Sequence, residues 1–425
     1  MAAEPWAKGC PPLDPLGFPH LCCADLFEAI LPRFQQRLRL GFPCGGIDAP
    51  GAFLRSMGID YDIGFFCDVS ESLRLPLSEM HGRDLVQHFL LGSKGDITKI
   101  PVQDLPIVDG IVYGAPCPPF SSIGTRQFSR DSRSDVFEAC HELLSYQGRE
   151  GLKFWISEMV TGQDVSHPGA EVTYYQDWLA RLAEDAPMFL VSSHRLNSLD
   201  FGTPQHRERI YTFGVHKAWA TTPVPRPPHL PRVSSEDLWR CVLHKAFPTQ
   251  QERRLTTQQQ LNVTWAKIRA LRSGTWVNPI VVSADRDPTK NFASMLRLDG
   301  HCMTLRTQNE LIWLMWLQPD GSCTFSRALH PMERFGLQGF QCKFFGSMNK
   351  TEMLAATGNC MTVPVVGAAL SAVFRHVSQA ARCSPWLSLP LDLSACWRRS
   401  EKRNAETQLA RDIEFLEARR LALGA

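Results

Sequence analysis

The chain has 425 residues, 44% of them hydrophobic and 21% charged, with a net charge of +2. That make-up excludes a disordered or fibrous chain and leaves room for two or three folded domains. No apolar run approaches ~18 residues without a charge or a proline, so no membrane span is expected.

The charge is unevenly spread. From Lys217 to Phe325 there are 14 Lys and Arg against 8 Asp and Glu, while the rest of the chain carries 31 against 35. A basic excess confined to one stretch suits contact with a polyanion, although chance clustering on a solvated face gives the same count. The 14 cysteines are scattered and form no Cys-x-x-Cys pair. No metal site is expected from such spacing. With no basic segment feeding an apolar core at Met1-Ala2-Ala3, the expected setting is intracellular and reduced, and nuclear in a eukaryote.

Residues 1–36 read as a Pro-rich extension with one short helix near Asp25–Leu31. From there strands and helices alternate. Strands are expected at Arg37–Phe42, Tyr61–Phe66, Ile107–Tyr113, Phe154–Ser157, Phe189–His194 and Ile210–Val215. Helices are expected at Ala49–Met57, at Ser70–His81 with a break at Pro76, at Asp135–Tyr146 and at Tyr174–Glu184. This alternation predicts an α/β fold, a parallel or mixed sheet covered on both faces. A Pro-rich linker follows at Thr221–Arg232. Residues 217–325 are polar, Gln-rich near 250–260 and without a clean period, as expected of a second, smaller domain. Residues 326–378 return to a compact apolar pattern. The tail, 379–425, carries both charges from Trp397 onward and reads as a surface helix.

In an open α/β sheet, ligands collect beyond the carboxyl ends of the strands, so those junctions carry the candidates. The first holds Gly45-Gly46, a pair that permits close backbone approach or merely a tight turn. Asp68 ends the second strand, where a carboxylate can accept from ribose hydroxyls or cap the next turn. Asp96 can accept from an adenine amino group or close an Asx-turn. The fourth strand runs into Pro116-Cys117-Pro118-Pro119-Phe120-Ser121. A cysteine fixed among prolines at a strand end suits a positioned nucleophile. Glu158 follows the fifth strand, where a carboxyl beside apolar residues suits a proton donor. In Gln205-His206-Arg207-Glu208-Arg209, alternation puts Gln205, Arg207 and Arg209 on one face. A surface ladder with Glu208 is the plainer alternative.

In order and spacing these junctions resemble the C5-cytosine DNA methyltransferase family. Pro116–Ser121 is similar to its nucleophile loop, continued by Asp131-Ser132-Arg133 and Phe137. Glu158-Met159-Val160 resembles its Glu-Asn-Val motif and Gln205–Arg209 its Gln-x-Arg-x-Arg motif. Arg327–Arg334 with Leu337–Phe340, then Gly358-Asn359 with Val363-Pro364-Val365, resemble its last two. Two positions depart: Gly41 and Pro43 stand where the first motif has Phe and Gly, and Met159 replaces an asparagine that could brace the nucleophile loop.

The resemblance implies a Rossmann-like class I methyltransferase sheet in two parts, 37–216 and 326–378. It also implies a target-recognition domain at 217–325. The implied cofactor is S-adenosyl-L-methionine, contacted by Phe42, Gly45, Gly46, Asp68, Val69, Asp96, Ile97, Pro116 and Asn359. The implied catalytic residues are Cys117, Glu158, Arg207 and Arg209. DNA is the implied partner, met by Ser121, Gln205 and the basic pair Arg253 and Arg254, with Arg207 also holding phosphates. Two readings compete: methylation of a tRNA cytosine on the same fold, and a catalytically weak DNA-binding regulator.

Overall fold

A computed structural model of the chain describes residues 37–115, 135–165, 171–229, 234–243, 255–286, 295–307, 310–340 and 345–380. The larger sheet has seven strands: β1 Leu38–Pro43, β2 Tyr61–Asp68, β3 Leu90–Leu91, β4 Gly110–Tyr113, β5 Phe154–Val160, β6 Phe189–Asn197 and β7 Glu208–His216. Their order is β3-β2-β1-β4-β5-β7-β6. Pairings among β1 to β5 are parallel, and β7 runs antiparallel to both β5 and β6.

Burial on both faces explains why β4 and the start of β5, Phe154-Trp155-Ile156, read as continuous apolar runs. Successive residues still point to opposite sides. Val112 and Ile156 enter a core with Leu40, Phe53 and Val366, while Ile111 and Trp155 enter a second core with Leu143 and Trp178. Helix Val363–Ala380, the last described element, packs into the first core, where Gly367 lies against the ring of Phe53. The stretch Lys350–Val377 has the length and hydropathy of a membrane span, but 78% of its most apolar window is buried within the fold. Its apolarity therefore serves packing.

A second sheet is antiparallel, with β8 Ile280–Ser283, β9 Leu296–Arg297, β10 Ile312–Leu317 and β11 Cys323–Ala328 in the order β11-β10-β8-β9. Helix Thr257–Ser273 packs on one face through Ala266 and Ala270. Trp239 and Leu337 pack on the other, against Val281 and Leu314. This order was not visible as a period, because that 17-residue helix buries only Asn262, Ala266 and Ala270. The expected edges of the region also shift: β11 runs through residue 325, and Ala220 and Val224 pack in the core of the larger sheet.

Strand ends differ from expectation in a way that matters for the site. β2 extends to Asp68 and β5 to Val160, so Glu158 lies within a strand and not in the loop after it. Pro76 does not break its helix. That helix starts at Arg74, which leaves Pro76 in the first turn, where a missing N–H is tolerated. The helices expected near Asp25–Leu31 and from Trp397 lie outside the described residues.

Candidate active site

The sheet order reverses at β1, which has β2 on one side and β4 on the other. Beyond its end the chain turns sharply, with Cys44 at φ 55°, Gly46 at φ 55° and Asp48 at φ 54°. Gly45 N–H donates to the Cys67 carbonyl (2.9 Å), and Gly46 N–H donates to Asp68 Oδ2 (2.9 Å). Ser70 N–H donates to Asp68 Oδ1 (2.9 Å). Each carboxylate oxygen thus holds one backbone donor and keeps acceptor capacity for another. Burial pushes the Asp68 carboxyl up, against the lowering effect of those two amides. Val69, next in the chain, is 67% exposed, an apolar surface beside the carboxylate.

The side chain of Phe42 is fully buried in the core, turned towards Tyr61 and Phe66. The glycine at 41 has a steric reason. A Cβ there would lie 2.3 Å from the ring of Phe65, which comes from the neighbouring strand and fills the space. Gly95 brings the third junction in: its missing Cβ would lie 2.2 Å from the Leu90 carbonyl and 2.3 Å from that of Asp68. Asp96 accepts from Lys99 Nζ (2.8 Å) and from Thr98 Oγ1 (2.7 Å), contacts that hold its carboxyl below the usual range. Ile97 turns its side chain into the core, and Asn359, the last residue of its helix, is exposed.

Glu158 is buried on β5 between two guanidiniums, that of Arg209 on β7 and that of Arg207 just before it. Its Oε1 lies 3.3 Å from Arg209 Nε and 3.6 Å from Arg207 Nη2. The expected apolar surround is therefore wrong: the antiparallel register sets Val160 beside Arg209, and Arg209 and Arg207 both approach the carboxylate. Burial with Glu158 beside it pushes the Tyr211 hydroxyl far up. A Cβ on Gly114 would be 3.4 Å from Glu158 Oε2. The chain that carries Cys117 therefore departs from beside Glu158; Ala115 is the last described residue before it, and consecutive Cα atoms are about 3.8 Å apart.

Arg207 does not face phosphates. Its Nη1 donates to the Gly358 carbonyl (3.1 Å) and its Nη2 to that of Cys360 (2.8 Å), clamping the end of one helix to β7. Gln205 is fully buried and reaches the Leu337 carbonyl at 3.5 Å, so the expected nucleic-acid contact is turned inward. The flanking backbone joins the two sheets: Cys302 N–H donates to the Pro204 carbonyl (2.6 Å) and His206 N–H to the Cys302 carbonyl (2.7 Å). Pro116, Cys117, Ser121, Arg253 and Arg254 lie outside the described residues.

One pair was passed over in the sequence. Asp48 is wholly buried and caps helix Ala49–Ser56 by accepting from Gly51 N–H (2.9 Å). Its Oδ2 also meets His81 Nε2 at 2.7 Å. Asp48-Ala49-Pro50 is a legible helix start. The histidine lies too far along the chain for any local pattern to find.

Comparison with known proteins gives a consistent picture. The family model described as C-5 cytosine-specific DNA methylase matches residues 87–375, more than half of the chain. An orphan methyltransferase, M.SPRI of Bacillus phage SPR, is 28% identical over 181 residues, 43% of this chain and 38% of the relative. The type II methyltransferase M.NlaIV of Neisseria lactamica is 33% identical over 141 residues, 31% of this chain and 32% of the relative. The chain thus spans well under half the length of the curated relatives it matches. Among solved structures, the Entamoeba histolytica methyltransferase EhMeth superposes with a TM-score of 0.54 at 14% identity, covering 80% of this chain and 98% of that one. A Spodoptera frugiperda DNMT2 mutant gives 0.51 at 13%, covering 80% and 100%. At such identities the likeness is one of fold.

Proposed function

The chain belongs to the C-5 cytosine-specific DNA methylase family, and on that premise we propose that it methylates C5 of cytosine in DNA, using S-adenosylmethionine. The observation that carries the reading is the buried Glu158 between Arg207 and Arg209, at the point from which the chain leaves for Cys117. A carboxyl and a guanidinium on adjacent strands suit the edge of a pyrimidine ring, with its N3 and O2 side by side.

The residues at the switch point fit the cofactor. Asp68 keeps acceptor capacity for ribose hydroxyls, Gly46 leaves open space at its Cα, and Val69 offers exposed apolar surface to a base. Asp96 has its carboxylate in place, engaged with Thr98 and Lys99. When bound, S-adenosylmethionine supplies an electrophilic methyl group.

The chain's own residues prepare the acceptor. Cytosine C5 is electron-poor, and addition of the Cys117 thiolate to C6 makes it nucleophilic. Glu158 hydrogen-bonds or protonates N3, and Arg209 polarises O2 as negative charge develops. Loss of the C5 proton to a base and departure of the thiolate restore the ring. Both ring faces are covered in a duplex, so the base must leave the stack, at a few kcal/mol. Arg207 holds Gly358 and Cys360 against this centre and so acts as a brace. Incubation with labelled S-adenosylmethionine and duplex DNA or tRNA tests the reading. Label in DNA cytosine supports it, and label in tRNA alone replaces it with the RNA reading.

A further inference from the structure

We propose that Asp48 and His81 are positioning residues for the cofactor loop: they hold Gly45-Gly46 in its binding shape from behind. The inference rests on the cofactor reading above and extends it to side chains that touch no ligand.

Asp48 adopts φ 54° and ψ 60°, a left-handed conformation uncommon for a residue with a side chain. Such conformations persist only where the surroundings impose them. Here the surroundings are an ionic cluster in which the Asp48 and His81 side chains are buried and Arg55 is partly exposed. Asp48 Oδ2 lies 2.7 Å from His81 Nε2 and 3.5 Å from Arg55 Nη1, and Arg55 Nη1 donates to His81 Nδ1 at 2.8 Å. Burial alone would push the Asp48 carboxyl up. The bonds from His81 and Gly51 and the charge of Arg55 outweigh it, so the group stays below its usual range. Gly51 permits the arrangement, since a Cβ there would lie 1.9 Å from Asp48 Oδ2.

Two routes lead from this cluster to the loop. One is covalent, since Gly46 is two residues from Asp48. The other is packed: His81 meets Phe89 edge-on at 5.6 Å, Phe89 stacks on Phe66 at 4.5 Å, and the Phe66 ring lies where a Cβ on Gly45 would be, 2.4 Å away. Gly46 is held in front by Asp68, and Asp48, two residues on, is held behind by His81. Loosening the rear anchor frees the N–H that fixes Asp68.

His81 also lines an open groove of about 780 Å³ with Arg55, Tyr61, Met80 and Leu85, which gives a small molecule access to its position. The test is direct S-adenosylmethionine binding by calorimetry on the full chain, with melting temperature alongside. His81→Gly is expected to bind roughly tenfold more weakly, as for loss of one charge-assisted hydrogen bond. Added imidazole should restore affinity to His81→Gly and have no effect on the wild type. His81→Gln, which can return a nitrogen donor, should bind better than His81→Gly. In turnover, KM for the cofactor should rise with kcat preserved at saturation. If His81→Gly does not fold, Asp48→Asn is read by affinity alone, with weaker S-adenosylmethionine binding expected and unchanged binding overturning the proposal. Unchanged affinity in a folded variant, or a loss in His81→Gly that imidazole does not rescue, overturns the proposal. Failure of the wild type to bind S-adenosylmethionine would instead reject the cofactor reading.

Discussion

At Glu158 one carboxylate faces two guanidiniums on a buried strand end, so Glu158→Gln keeps the shape while removing the charge and the acid. The expected result is a fall in kcat of about 10²–10⁴-fold, the usual worth of a positioned acid, with cofactor affinity unchanged. Single-turnover rates and calorimetry separate the two. Cys117→Ser should abolish turnover and leave cofactor binding intact, because a hydroxyl is a far weaker nucleophile than a thiolate. Only the wild type should form a denaturation-resistant adduct with DNA containing 5-fluorocytosine, in which fluorine blocks loss of the C5 proton. At Asp68 the pH dependence has a definite sign. Burial raises this carboxyl, so on acidification it takes up a proton at a higher pH than an exposed carboxylate does. Cofactor affinity should therefore fall from above the ordinary carboxylate range downward. Asp68→Asn should bind more weakly, by about 1.5–3 kcal/mol, and lose that pH dependence.

Among the elements, the loops at the strand ends depend on close backbone approach. Gly95→Ala puts a Cβ within 2.3 Å of two carbonyl oxygens that cannot yield as a side chain would. About 1–3 kcal/mol of stability should be lost, measured by denaturant titration. Cofactor affinity should fall with it, since the same approach seats Asp68. The strands themselves were legible because β4 and the start of β5, Phe154-Trp155-Ile156, are apolar runs, and each strand begins or ends close to its expected position. Asp68 was legible as the residue that ends a strand, and Glu158 as one close to a strand end. The surround of Glu158 was not, because it comes from an antiparallel pairing with β7 that no local pattern encodes. The inward turn of Gln205 was missed for the same reason: its partner, Leu337, lies 132 residues away. The second sheet stayed hidden because β9 has two residues and helix Thr257–Ser273 buries mostly alanine.

Over the whole molecule, four of the 14 Lys and Arg in 217–325, Lys267, Arg269, Arg272 and Arg297, sit on the second sheet and its helix, and the backbone of the same region meets that flanking the larger sheet at Cys302. If this part meets DNA, affinity should fall steeply with salt as counterions are released. Charge reversal at Lys267 and Arg269, on helix Thr257–Ser273, should weaken binding and flatten that slope by about 0.9 for each phosphate no longer neutralised, with cofactor affinity untouched. Exchange of the segment for that of another family member should alter which cytosines are modified, because base recognition carries sequence information and phosphate recognition does not. The most direct test of the central claim is transfer of labelled methyl from S-adenosylmethionine to an equal mixture of duplex DNA and tRNA, followed by nucleoside mass spectrometry. The account predicts 5-methylcytosine in the DNA with wild-type protein and none with Cys117→Ser. Label confined to tRNA, or persisting in DNA with Cys117→Ser, would contradict it.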